Sequence, residues 1–73
     1  MRTALFTFGT THHALWAEEV AAAQGIPAEV VPAPPGAHAR CSLALETLPE
    51  DATALASALD REGVEFARYV ASD

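Results

Sequence analysis

The segment Pro32-Ala33-Pro34-Pro35-Gly36-Ala37-His38-Ala39-Arg40-Cys41 constrains this chain more than any other stretch. Proline donates no ladder hydrogen bond, so Pro32, Pro34 and Pro35 end the strand before them and stiffen the connection. Gly36 to Arg40 is the looser part of the loop. The segment also holds the only cysteine and three of the five prolines. The residues on either side must therefore be read as two blocks joined by this loop.

The first block opens with Ala4-Leu5-Phe6-Thr7-Phe8, a short apolar run that fits a central strand. Gly9 ends it, and Thr10 and Thr11 are both good N-cap residues. His12 to Gln24 reads as an alanine-rich helix stopped by Gly25. Its buried face is ambiguous because alanine fits anywhere. Trp16, Val20 and Ala23 form one stripe; Ala14, Ala17, Ala21 and Gln24 form another. Glu18 and Glu19 mark the solvent side. Ala28 to Val31 reads as a second strand, reached by a right-handed parallel crossover.

The second block begins with Ser42 to Glu46 as a third strand, with Leu43 and Leu45 inward. Thr47-Leu48-Pro49-Glu50 opens a second helix, since proline and acidic residues favour a first turn. Ala52, Leu55, Ala56 and Leu59 give its buried stripe, and Gly63 closes it. Val64 to Val70 reads as the last strand. The order β-α-β-β-α-β predicts an α+β, ferredoxin-like fold: a four-stranded antiparallel sheet with both helices on one face. Phe6, Phe8, Ala44, Ala67 and Tyr69 are candidates for the sheet's other face, a place for a dimer contact.

The 73 residues suffice for a single domain, 1–73, with one small core. A domain this small often gains stability by pairing, so a homo-oligomer is expected. The net charge is −6 and there is no lysine. Such a surface repels phosphate, so neither nucleic acid nor an anionic membrane is an expected partner. One cysteine permits no internal disulfide, no CxxC pair and no all-cysteine metal site. No run is long enough for a signal peptide or membrane span. A cytoplasmic, reducing setting, where a lone thiol stays free, is the expectation.

In a ferredoxin-like fold the first helix starts at the sheet edge where the second strand ends and the third begins. Gly9-Thr10-Thr11-His12-His13 and Ala37-His38-Ala39-Arg40-Cys41 would then meet there. A helix N-terminus, Arg40 or a protonated histidine would stabilise a Cys41 thiolate. In strong cases a thiol pKa falls from about 8.5 to ~3.5–7.5. The same place would equally suit an anion. Several readings of these residues stay open. Cys41 could be a small buried hydrophobe. Cys41 with His12, His13 or His38 could bind a soft metal such as zinc or copper. The domain could be a small-ligand or protein-interaction module with an incidental cysteine. Nothing resembles a P-loop, a nucleophile elbow or GxGxxG, which makes a carrier or binding role a better expectation than a stand-alone enzyme.

Several short motifs resemble, in order and spacing, the small family of Se/S carrier-like proteins. They are Leu5 to Phe8, Thr11-His12-His13-Ala14-Leu15, Glu18, Gly25-Ile26, Pro32-Ala33-Pro34, and Cys41 ahead of Leu43-Ala44-Leu45. The resemblance covers nearly the whole chain. It departs around the cysteine, where that family often has small hydroxylated residues before and glycine after. Here His38-Ala39-Arg40 and Ser42 stand at those positions. The family is associated with bacterial-type TusA-like sulfur-transfer domains. The resemblance implies that Cys41 accepts sulfur or selenium as a persulfide or selenopersulfide and passes it on. It implies a donor such as a cysteine desulfurase and a downstream acceptor protein, with no cofactor and no resident metal. Thr10, Thr11, His12, His13, His38 and Arg40 are the candidate stabilising residues.

Overall fold

The computed structural model describes residues 3–33 and 42–71. Strand β1 (Thr3–Thr7) leads to helix α1 (Thr11–Ala23) and strand β2 (Ala28–Pro32). Strand β3 (Leu43–Thr47), a 3-10 turn (Pro49–Asp51), helix α2 (Ala52–Glu62) and strand β4 (Ala67–Ala71) complete the order. The four strands form one sheet in the order β2-β3-β1-β4. Each neighbouring pair is antiparallel, so β1 and β2, which flank β3, run the same way. This is the ferredoxin-like α+β fold expected from the element order.

Register decides which residues make the core. Phe6 stands opposite Leu45, and Ala4 opposite Thr47. Ala4, Phe6, Phe8 and Leu45 pack with Ala14, Ala17, Val20 and Ala21 of α1 and Ala52, Leu55, Ala58 and Leu59 of α2. Phe6, Leu45, Leu55 and Leu59 are the largest fully buried side chains. Alanines on the inner faces of both helices leave room for these four. The Phe66 ring lies 5.3 Å from that of Phe6, tilted by 58°. The Arg68 guanidinium sits 5.8 Å from the centroid of the Phe6 ring.

One face assignment differs from expectation. Phe6 and Phe8 belong to the helix side of the sheet. On the outer side, Leu5, Thr7 and Ala44 take the central places and are themselves buried, at 5, 5 and 0 % exposure. An apolar run on both faces gives no alternation to read, and only the pairing with β3 separates Leu5 from Phe6. In α1 the buried residues are Ala14, Ala17, Val20 and Ala21, with Trp16 only half-buried.

The chain ends of the helices explain two boundary shifts. At the end of α2, Gly63 has φ 80°, and the Val64 N–H donates to the Leu59 carbonyl at 2.9 Å. This is the glycine-terminated cap in which the residue after the glycine folds back on the last turn. Val64 therefore cannot begin the last strand; its side chain closes the core instead, and β4 starts at Ala67. At the start of α2, Thr47 stays in β3, where its hydroxyl donates to the Pro27 carbonyl at 2.6 Å. Leu48 lies outside both elements, and Pro49 opens a 3-10 turn before the helix.

On the outer face, Glu29 of edge strand β2 stands directly opposite Glu46 of β3. Like charges placed across a strand pair destabilise it by a few tenths of a kcal/mol, up to about 1. Glu29→Lys converts the pair to opposite charges. We expect thermal unfolding of that variant to move up by about 2–4 °C at low salt, with the gain shrinking in high salt.

Candidate functional site

Four chain segments converge at one edge of the sheet. Thr7, the last residue of β1, pairs with Ala44 of β3 on one side and Ala67 of β4 on the other. The Thr7 hydroxyl donates to the Ala67 carbonyl at 3.4 Å. Pro32, at the end of β2, pairs with Leu43 at the start of β3. One step further out, the Ala33 N–H donates to the Ser42 carbonyl at 2.8 Å, which ties together the two ends of the segment 34–41. Helix α1 starts just past β1, at the same edge.

The start of α1 is built around Thr10. Its backbone is extended, and its hydroxyl oxygen accepts the His13 N–H at 3.1 Å. The Thr10 carbonyl accepts the Ala14 N–H at 3.2 Å. Thr10 Oγ1 also lies 2.7 Å from His13 Nδ1. With the ring proton on Nε2, the hydroxyl donates to Nδ1 while accepting from the backbone. With the proton on Nδ1, both His13 groups donate to the same oxygen. Either way one threonine holds both the backbone and the ring of His13. Thr11 occupies the first helical position and is exposed, as is His12.

The rings next to this cap cluster on the helix surface. The centroids of His12 and His13 are 6.1 Å apart, edge to face. Trp16 lies 6.4 Å from His12 and 6.2 Å from His13. These distances come from helical spacing, since Trp16 is three and four residues beyond the histidines.

The electrostatics of the two helix starts differ. The turn leading into α2 carries Glu50 and Asp51, which offset the partial positive charge there. The first turn of α1 has no acidic residue. Its partial positive charge is left to whatever anion comes to that edge. An anion held there would meet backbone N–H groups, hydroxyls and imidazoles.

Of the residues singled out in the sequence, Thr10, Thr11, His12 and His13 thus lie together at the α1 start. Cys41, His38 and Arg40 fall outside the described residues. Ser42, the chain neighbour of Cys41, lies at this edge and is exposed. Among the described residues, no group of three or more His, Cys, Asp or Glu side chains is placed to hold a metal ion. No described helix is long and apolar enough to cross a membrane. Sequence reasoning passed over one surface: Leu15 is 47 % exposed beside Trp16. The signal was present, since Leu15 belongs to neither of the stripes that could face the sheet.

Loss of the Thr10 hydroxyl removes the helix cap and the ring contact together. We expect Thr10→Ala to cost about 1 kcal/mol, lowering the unfolding temperature by about 4–8 °C. Thr10→Ser should restore most of it, as thermal melts of the two variants side by side would show.

A model of the family described as "Putative Se/S carrier protein-like" matches residues 3–70 of the chain. Neither a curated protein nor a solved structure matches it.

Proposed function

The chain belongs to the Se/S carrier protein-like family, and from that premise we propose that it carries sulfur or selenium on Cys41 as a persulfide or selenopersulfide. The family match carries this reading, because it spans both the α1 start and the segment that contains the cysteine. The topology supports it. Ser42, which follows Cys41 in the sequence, lies at the edge where α1 presents an uncompensated positive end.

In the loading step, the Cys41 thiolate attacks the terminal sulfur of a donor persulfide. A sulfur–sulfur bond forms at Cys41, the donor's own sulfur–sulfur bond breaks, and the donor thiolate leaves. No net oxidation occurs. Transfer onward repeats the same exchange with an acceptor thiol. The donor is a cysteine desulfurase, which makes its persulfide from cysteine, or its selenium equivalent from selenocysteine.

The residues at the α1 start have two tasks in this scheme. A terminal persulfide sulfur is more acidic than a thiol and is carried as an anion. The N–H groups at the helix start, with Thr10 and Thr11, favour that charge. His12, His13, His38 and Arg40 supply positive charge or a proton as the anion forms and leaves. Neither nucleic acid nor a membrane takes part.

Intact-protein mass spectrometry without reductant tests the proposal. After incubation with a cysteine desulfurase and cysteine or selenocysteine, the protein should gain one sulfur or selenium atom. A reductant should remove it, and Cys41→Ser should show none. Loading that persists in Cys41→Ser would refute it. So would an unloaded wild type whose Cys41 is also slow towards an alkylating reagent at neutral pH.

A further inference from the structure

The face of α1 turned away from the sheet carries large side chains and acidic residues but no lysine or arginine. His12, Leu15, Trp16 and Glu19 fall at i, i+3, i+4 and i+7, one helical stripe, while Ala14, Ala17 and Ala21 face the core. Leu15 is 47 % exposed, one of two large apolar side chains left in solvent among the described residues. The other, Leu48, lies at the opposite end of the sheet, beyond β3. Two shallow depressions of about 430 and 200 Å³ flank Trp16 and share Glu19. The second runs on to Glu62 at the end of α2. Together the two make a shallow groove along Trp16 and Glu19.

We propose that this groove is the docking surface for the protein that exchanges sulfur or selenium with the chain, engaged through an apolar side chain flanked by arginine or lysine. The proposal rests on the carrier reading for its choice of partner. Charge decides the chemistry of the occupant. Glu18 and Glu19 are exposed on α1, Glu62 borders the groove, and α1 contains no lysine or arginine. The whole chain is at −6. A second copy would bring the same carboxylates, Glu18, Glu19 and Glu62, to the contact from both sides, with no lysine or arginine on α1 to pair with them. A basic partner gains where a copy loses.

Position supports the same occupant. The groove begins at His12, in the first turn of α1, at the sheet edge that Ser42 also occupies. A partner seated along Trp16 and Leu15 therefore lies beside that edge. Half-buried Trp16 also brings to this surface a side-chain type enriched at the centre of protein interfaces.

The test titrates a cysteine desulfurase into the full chain and reads the dissociation constant and the Trp16 fluorescence. All variants carry Cys41→Ser, so that binding is separated from loading. The unaltered surface should bind with a blue shift of Trp16 and weaken as salt rises. Trp16→Ala should weaken binding at least tenfold. Because Trp16 also touches the core, Leu15→Gln provides a change confined to the surface, and it too should weaken binding several-fold. Glu19→Arg should weaken it and flatten the salt dependence. Leu48→Gln, at the far end, should leave it unchanged. Binding that is indifferent to Leu15→Gln and Glu19→Arg would overturn the docking surface, as would no binding at all. If the wild-type chain nevertheless gains sulfur or selenium on Cys41, the carrier reading survives that failure. If the groove binds and Cys41 never loads, the docking surface stands and the carrier reading falls.

Discussion

The pairing of β1 with β3 is the constraint on which the molecule depends. These strands come from different halves of the chain and lie side by side at the centre of the sheet. Their register puts Phe6 opposite Leu45, and those two side chains anchor the core that α1 and α2 cover. A slip of β1 by one residue would turn Phe6 to the outer face and send Leu5 inward while Leu45 stayed with the helices, splitting the pair on which the core is built. The same register sets Thr7 against Ala44. It thereby fixes where β1 ends, where β3 begins and where the start of α1 falls relative to the Ala33–Ser42 hydrogen bond. Core and candidate site are thus specified by one set of strand contacts.

The elements and their order were legible because the punctuation is local. Gly25 and Gly63 have positive φ, at 70° and 80°, where other residues are strained. Thr10 caps α1 through its own side chain. The errors arose where tertiary contacts decide. Phe6 and Phe8 could not be assigned to a face from an apolar run without alternation. Val64 looks like a strand residue, but its N–H is already committed to Leu59. In α1 the sequence left two stripes open, and the helix turns the alanine one, with Ala14, Ala17 and Ala21, inward, where alanine allows close approach to the sheet. Trp16 is left at the flank, the opposite of what its size alone suggests. The cap at the start of α1 was readable from Thr10 and Thr11. The ring contact between Thr10 and His13 was not, since it depends on a side-chain orientation that spacing alone does not supply.

In the proposed scheme one helix does two jobs, and electrostatics keeps them apart. Helix α1 offers its positive end to the sheet edge without an acidic residue in the first turn, while Glu18 and Glu19 lie further along. Had a carboxylate stood at the first turn, as Glu50 and Asp51 do before α2, an anion at the edge would have met repulsion rather than N–H groups. Had Glu19 been basic, the outer groove would have lost its preference for a basic partner. The separation is roughly two turns, or about 11 Å along the axis. That is close to one Debye length at moderate salt, far enough for each charge to act mainly on its own neighbour. An acidic chain can therefore leave one end of a helix open to an anion while the carboxylates two turns on favour a basic surface, which is what the proposed exchange requires.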